Sequence, residues 1–187
     1  RVELSEIFNG NEALIKKYAE KLSISFERVE YAKNNFIRVV KVMKAFILND
    51  SVKSFLCLNN KLPQENKGLF DIKLLEEFAD AIIKLYGIKG LKGKDLLYSI
   101  NSEDYDAKRA EFIQRLSKGE KLFVISSYNT VGAGQNLQYK APGNATIVAV
   151  NDYDRGDMEK DFDCIYLEKP TNLLVNVDSK KGIEAED

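Results

Sequence analysis

The segment Arg109–Gln138, RAEFIQRLSKGEKLFVISSYNTVGAGQNLQ, carries the strongest fold signal in the chain. A helical pattern is followed by a glycine turn, the apolar run Leu122–Ile125, a polar loop and a glycine-rich loop, and a new short helix is predicted to begin near Gln135. A short apolar run bounded by turn signals is typical of a buried strand. The order helix, buried strand, helix is typical of α/β proteins.

The same pattern continues on both sides of this segment. Four further apolar runs lack a helical period and predict strands: Val52–Leu58, Leu96–Ile100, Ala145–Val150 and Cys164–Leu167. Helical patterns separate several of them, at Phe70–Tyr86 and Tyr105–Leu116. Because strands and helices alternate, we expect an α/β fold of three layers (αβα) with a mainly parallel sheet.

The first 50 residues are predicted to be helical. No proline or glycine occurs from Ser23 to Leu48, and apolar residues from Phe26 to Ile47 recur at steps of three and four positions. We therefore expect a helical N-terminal extension over residues 1–50, an α/β lobe over residues 51–170 and a polar tail over residues 171–187.

Composition excludes several classes of function. The chain has 28 basic and 29 acidic residues, so it is not a histone-like basic protein, although residues 51–150, with 14 basic and 11 acidic residues, are mildly basic. A nucleic-acid surface would therefore belong to this middle part. The absence of histidine excludes Ser-His-Asp and Cys-His nucleophile systems and every zinc site with a histidine ligand.

The two cysteines and the hydropathy predict a cytoplasmic location. Cys57 and Cys164 lie far apart in apolar runs, which is typical of buried, reduced thiols. No apolar run approaches the ~20 residues that a membrane span needs, and the N-terminus does not resemble a signal peptide, so no membrane partner is expected.

Polar residues follow the central strand where ligands bind in open α/β sheets, beyond the carboxyl ends of the strands. Ser126, Ser127 and Thr130 can donate hydrogen bonds to phosphate oxygens without sequence preference. Gly132 and Gly134 permit a ligand to approach the backbone closely, or they only shape a tight connection between strand and helix.

The residues after these glycines extend the candidate site. Gln135 and Asn136 would lie at the start of the predicted short helix. The unpaired N–H groups at a helix start favour anions, so these residues are candidates for contact with a nucleotide.

The whole segment resembles the C-terminal RecA-like lobe of superfamily 2 helicases. In that lobe, an Arg opens a helix that leads through a Gly turn to a strand ending in Ser or Thr, and Arg109, Gly119 and Leu122–Ser126 fit this order. The sequence GAGQNL at residues 132–137 resembles the Gly-x-Gly-x-Asn-Leu form of motif V. Val52–Leu58 with Asn59 resembles motif IV, the first strand of the lobe.

This resemblance implies a RecA-like sheet and a role for each candidate residue. By this resemblance, Ser126, Ser127 and Thr130 would touch the backbone phosphates of DNA or RNA. Asn59 and Asn60 would lie near the path of the nucleic acid. Residues that would approach ATP, or relay its state, are Gly132, Gly134, Gln135 and Asn136. ATP and Mg²⁺ would bind only together with an N-terminal RecA-like lobe of the same parent protein.

The chain also departs from the helicase pattern. It contains no Gly-x-x-x-x-Gly-Lys-[Ser/Thr] phosphate loop, no Asp-Glu-x-x box after an N-terminal strand and no recognisable Gln/Arg-rich motif VI. Phosphoryl transfer needs the electrostatic groups that these motifs supply. We therefore expect a motor lobe that forms one side of the ATP cleft and is inactive as an isolated chain.

Two alternatives remain open from the sequence. A Rossmann-like enzyme that binds a nucleotide or S-adenosylmethionine would use Val131–Gly134 as its phosphate loop, although the polar residues Ser126–Thr130 separate that loop from the strand. A non-catalytic interaction domain would use the helices of residues 1–50 as a docking surface.

Overall fold

The computed structural model describes residues 2–27, 29–60, 70–131, 137–143 and 158–168. Its helices are α1 (Val2–Ile7), α2 (Glu12–Ser25), α3 (Glu30–Leu48), α4 (Ile72–Leu85), α5 (Gly93–Leu96) and α6 (Tyr105–Ser117). Its strands are β1 (Ser54–Asn59), β2 (Leu97–Ser99), β3 (Leu122–Ser127), β4 (Tyr139–Lys140), β5 (Glu159–Lys160) and β6 (Cys164–Leu167).

Four of these strands form one parallel sheet in the order β2-β3-β1-β6. The short strands β4 and β5 pair with each other in an antiparallel ribbon. Helices flank the parallel sheet, so the predicted α/β class with N-terminal helices is confirmed, and the architecture is compatible with a three-layer RecA-like or Rossmann-like fold. The predicted strand Ala145–Val150 lies outside the described residues.

Alternating side chains of the two central strands build two hydrophobic clusters, one on each face of the sheet. Phe55 and Phe123 pack with the cluster formed by α1, α2, α3 and α4. Leu56 and Val124, the next residues along, pack with α6 on the opposite face. A parallel sheet covered on both faces has strands that are apolar almost throughout, which explains why these strands were predicted from short apolar runs.

The N-terminal helices differ from the prediction in one respect. The uninterrupted pattern after Ser23 predicted a continuous helix, but α2 ends at Ser25 and α3 begins at Glu30. The backbone leaves the helix at Phe26, whose buried ring lies 5.4 Å from that of Phe36. Tertiary packing of one aromatic ring therefore outweighs local helix propensity here.

The apolar stripe of α3 packs against the sheet. Its side chains from Phe36 to Ile47 belong to the same hydrophobic cluster as α4, β1 and β3. Val29, just before the helix, is 36% exposed. The stripe from Phe36 to Ile47 is thus used inside the molecule, whereas Ile24 and Leu48 of the same N-terminal helices stay exposed.

Both cysteines are free thiols, with Cys57 buried and Cys164 half-buried. Burial, with a smaller contribution from the charge of Glu168, raises the pKa of Cys57, so its thiol stays protonated. Within the part of the chain that the structure describes, no helix has the length and apolar character to cross a membrane.

Candidate functional site

The carboxyl ends of β1 and β3 lie side by side in the centre of the sheet. The two strands pair in parallel, and Asn59 at the end of β1 is opposite Ser127 at the end of β3. The next described element after β1 is α4 on one face of the sheet, whereas β3 is followed by Leu137 and Tyr139, which pack with α6 on the other face. Neighbouring strands whose connections diverge in this way form the crevice where α/β proteins bind ligands.

Asn59 is buried at this edge, and its amide is paired with the amide of Asn35 in α3. Each side-chain NH₂ donates to the carbonyl oxygen of the other, at 3.1 and 3.3 Å. The same oxygen of Asn59 also accepts the backbone N–H of Asn60, at 3.0 Å. Asn60 itself is half-buried. Asn60 therefore lies closer to the surface than Asn59, which holds the end of β1 to α3.

Ser126 is completely buried, and its hydroxyl donates to the backbone carbonyl of Ile100 at 3.1 Å. The side chain thus faces the core in this structure and has no access to a ligand at the surface. This differs from the direct phosphate contact that the resemblance implies, and the reason is the period of the strand, which turns alternate side chains into the hydrophobic layers.

Ser127 and Thr130 form a tight turn directly after β3. The two hydroxyl oxygens lie 3.0 Å apart, and the Thr130 backbone N–H donates to the Ser127 hydroxyl at 3.3 Å. The backbone carbonyl of Ser127 accepts the N–H groups of Thr130 and Val131, each at 3.0 Å. Ser127 is 7% exposed, whereas Thr130 is half-buried. Of these two hydroxyls, that of Thr130 lies nearer to solvent.

The four candidate nucleotide contacts, Gly132, Gly134, Gln135 and Asn136, lie outside the described residues. The predicted helix near Gln135 does not include Leu137 or Gln138, because both are irregular and β4 begins at Tyr139. For these two residues the helix prediction is wrong. Tyr139 is fixed instead by its hydroxyl, 2.8 Å from that of Ser54, and by packing against α6.

A group of polar side chains that the sequence analysis missed surrounds Glu168, the residue directly after β6. The Glu168 carboxylate is only 2% exposed and accepts hydrogen bonds from Arg38 (Nε, 3.3 Å) and from the Tyr166 hydroxyl (2.6 Å). Its backbone N–H donates to the carbonyl of Leu58, and its carbonyl accepts the hydroxyl of Tyr128 at 2.6 Å. Glu168 therefore joins α3, β1, β6 and the turn after β3.

We call this group the carboxyl-edge cluster; its members are Asn35, Arg38, Asn59, Tyr128, Tyr166 and Glu168. Burial disfavours the Glu168 carboxylate, but the hydrogen bonds from Arg38 and Tyr166 and the charge of Arg38 outweigh it and lower the pKa of Glu168. The hydrogen bond to Glu168 raises the pKa of Arg38. Burial and the bond to Glu168 raise the pKa of Tyr166 to about 12.

These pKa values fix the protonation states of the cluster near neutral pH. Glu168 is a carboxylate, Arg38 is a guanidinium and Tyr166 is a neutral phenol, so none of the three exchanges a proton in that range. The cluster can therefore hold the ends of strands and loops in place, and proton transfer is not its chemistry. No local sequence signal marks it, because α3 also carries Lys33, Asn34 and Lys41, so Asn35 and Arg38 do not stand out from the other polar residues of the helix.

Among the described residues, no group of three or more His, Cys, Asp or Glu side chains is arranged to hold a metal ion.

Comparison of the sequence with protein-family models and with curated proteins gave no match.

Proposed function

We propose that this chain is the C-terminal motor lobe of an ATP-dependent nucleic-acid helicase or translocase. The carboxyl edge of its sheet would contact the backbone of DNA or RNA. The observation that carries the proposal is the parallel pairing of Asn59 with Ser127. This pairing brings the segment that resembles motif IV next to the segment that leads into the motif V resemblance, at the edge where α/β sheets bind ligands.

Among the candidate residues that the structure describes, Asn60 and Thr130 lie nearest the surface, and their groups suit phosphate contacts. The Ser127 hydroxyl oxygen accepts the Thr130 N–H, so its own hydrogen can point to the Thr130 hydroxyl oxygen 3.0 Å away. This arrangement leaves the Thr130 hydroxyl hydrogen for an outside acceptor such as a phosphate oxygen. Amide and hydroxyl donors of this kind bind the backbone without reading its sequence.

The nucleotide side of the proposal rests on the resemblance of residues 132–137 to motif V. Gly132, Gly134, Gln135 and Asn136 would approach ATP in a cleft completed by an N-terminal RecA-like lobe, which would supply the phosphate loop and the residues that hold Mg²⁺. The chain by itself lacks that phosphate loop, so it is expected to bind nucleic acid without hydrolysing ATP.

The direct test is binding of fluorescein-labelled single-stranded DNA and RNA to the chain, followed by fluorescence anisotropy at several salt concentrations. We expect the logarithm of the association constant to fall linearly with the logarithm of the salt concentration, because lysine and arginine side chains that neutralise phosphates release counterions from the nucleic acid. Asn60→Ala and Thr130→Val should each weaken binding by about threefold to tenfold, the value of one hydrogen bond.

Gln114→Ala is the matched control, because Gln114 is an exposed amide on α6, away from the carboxyl edge. Its affinity should equal that of the wild type. Absence of salt-dependent binding to either nucleic acid would refute the proposal, and wild-type affinity in both edge variants would refute the placement of the interface. Tight binding of NAD or S-adenosylmethionine, measured by calorimetry, would favour the Rossmann-like alternative instead.

A second measurement addresses the motor role. Joined to an N-terminal RecA-like lobe with a phosphate loop, the chain should support ATP hydrolysis that DNA or RNA accelerates. A rate that does not respond to nucleic acid would contradict a translocase.

A further inference from the structure

Tyr31 lies beyond the carboxyl end of the sheet. Helix α3 runs antiparallel to β1, because Asn35 contacts Asn59 at the end of that strand, whereas the ring of Phe46 lies 5.5 Å from that of Phe55 near its beginning. Tyr31 precedes Asn35 by four residues, or about one helical turn, so it projects past the end of β1. Its side chain is accessible, since the residue is 52% exposed.

Tyr31 shares one face of α3 with two members of the carboxyl-edge cluster. Tyr31, Asn35 and Arg38 are spaced at i, i+4 and i+7, which places them along one side of the helix. Asn35 on this face contacts the end of β1, and Arg38 contacts Glu168 after β6. The face is therefore turned toward the strand ends, and Tyr31 is at its outer end.

We infer that the Tyr31 ring is a stacking surface for a base of single-stranded nucleic acid. This inference rests on the proposed function and specifies the substrate class. Phosphate contacts at this edge would come from amide and hydroxyl groups, whereas an aromatic ring offers a face that fits any base. A base inside a duplex already stacks on its neighbours, so the ring selects an unpaired strand.

The energetics of stacking separate this role from a backbone contact. Stacking of one base on an aromatic side chain is worth about fivefold to 100-fold in affinity, whatever the base. Stacking releases no counterions, so the slope of affinity against salt should stay the same when the ring is removed. An ion pair between a lysine or arginine side chain and a phosphate behaves in the opposite way, because its loss reduces the slope.

The test compares Tyr31→Ala and Tyr31→Phe with the control Tyr86→Ala. Tyr86 is 37% exposed and directly follows α4. The centre of its ring lies 5.3 Å from the ammonium nitrogen of Lys44, near the end of α3 that is opposite to Tyr31. The probes are a fluorescein-labelled oligothymidylate of about 20 nucleotides, its duplex with oligodeoxyadenylate, and an abasic strand of equal length and charge.

We expect Tyr31→Ala to weaken binding of oligothymidylate about tenfold with an unchanged salt slope, and to leave binding of the abasic strand unaltered. Tyr31→Phe and Tyr86→Ala should bind both strands like the wild type, and the wild type should prefer the single strand over the duplex. Circular dichroism melting of each variant checks that the exposed substitutions preserve the fold.

Two outcomes would overturn the inference while leaving the proposed function intact. In the first, Tyr31→Ala binds oligothymidylate as tightly as the wild type. In the second, it loses affinity for the abasic strand to the same extent, which would assign Tyr31 to backbone contact or to local structure. Failure of the wild type to bind any of the three probes would overturn both proposals together.

Discussion

The guanidinium of Arg38 in α3 makes two hydrogen bonds to the carboxylate of Glu168, which lies 130 positions later in the chain. The two partners differ in their access to water, since the Arg38 side chain is 42% exposed and that of Glu168 only 2%. A charge that can reach water tolerates the loss of its partner better than one that cannot. The pair is therefore asymmetric. The stability of the carboxyl edge depends mainly on whether the buried Glu168 carboxylate keeps its ion pair with Arg38.

Arg38→Ala should lower the free energy of unfolding more than Glu168→Gln. Removing Arg38 leaves a buried carboxylate without its cation, which costs about 3 kcal/mol. Glutamine keeps the shape of Glu168 and can still accept hydrogen bonds, while Arg38 turns to solvent, so the loss should be about 1 kcal/mol. Urea unfolding near neutral pH, followed by circular dichroism, measures both values.

The double variant Arg38→Ala with Glu168→Gln provides the control. It should be more stable than Arg38→Ala alone, because no buried charge is then left unpaired. Equal losses for the two single variants, or simple additivity in the double variant, would mean that the Glu168 carboxylate is not held by Arg38.

The lowered pKa of Lys121 leads to a prediction of how the free energy of unfolding changes at alkaline pH. Burial, helped by the nearby charge of Lys53, lowers the pKa of Lys121 to about 8. The ammonium lies 4.4 Å from the centre of the Phe46 ring and donates to the Val52 carbonyl at 2.9 Å. From about pH 8 upward the folded protein releases this proton while the unfolded chain keeps it, so the free energy of unfolding should rise with pH.

Lys121→Met removes this group and is therefore expected to flatten that rise. The measurement is the difference in unfolding free energy between wild type and variant at several values between about pH 7 and about pH 10. Tyrosines, which titrate near pH 10, are common to both proteins and cancel in this difference. The difference should be constant below about pH 8 and then shift in favour of the wild type. A difference that stays constant to about pH 10 would show that Lys121 is as well solvated as an ordinary lysine.

Short apolar runs made most of the sheet predictable. The run Val52–Leu58 overlaps β1, because a strand buried on both faces leaves little room for polar residues. The run Cys164–Leu167 coincides with β6, an edge strand whose side chains alternate between half-buried and exposed. The break between α2 and α3 could not be predicted, since no proline or glycine marks it and it depends on where the Phe26 ring packs.

The residues at the carboxyl edge of the sheet were also only partly predictable, because some of their contacts depend on tertiary packing. The sequence located Asn59 and Ser127 at strand ends, and the structure places them opposite each other. It could not reveal that Asn59 is buried against Asn35, or that Arg38 meets Glu168, because these contacts depend on how α3 lies across the sheet. Contacts between residues distant in the chain follow from the packing of whole elements and leave no local pattern.

The reciprocal amide pair of Asn35 and Asn59 should behave as one unit in stability measurements. Asn35→Ala or Asn59→Ala each leaves a buried amide without its partner, at a cost of about 2 kcal/mol. The double variant should lose much less than the sum of the two single losses, because no unpaired amide then remains. Urea unfolding of the four proteins in this cycle gives the coupling energy, and a coupling near zero would contradict the pairing.

Substitution of Gly93, the first residue of α5, tests how closely α5 packs on α4. A Cβ atom at this position would lie 2.5 Å from the backbone carbonyl oxygen of Glu76 and 3.2 Å from the Cβ of Ala79. The Gly93 N–H also donates to the Asp80 carboxylate at 2.7 Å, which keeps the two backbones together. Because a carbonyl in the middle of a helix cannot easily move, Gly93→Ala should lower the free energy of unfolding by about 2–3 kcal/mol.

Gly143→Ala is the matched control for this substitution. A Cβ at Gly143 meets no atom within 4 Å, and its backbone is not in the left-handed region, so the change in unfolding free energy should stay within about 0.5 kcal/mol. Gly87→Ala separates crowding from backbone strain, because Gly87 has open space but a φ of 64° and should lose about 1 kcal/mol. If Gly93→Ala unfolded at the same urea concentration as Gly143→Ala, α5 could not lie against the Glu76 carbonyl, and the link from α4 into β2 would have to run elsewhere.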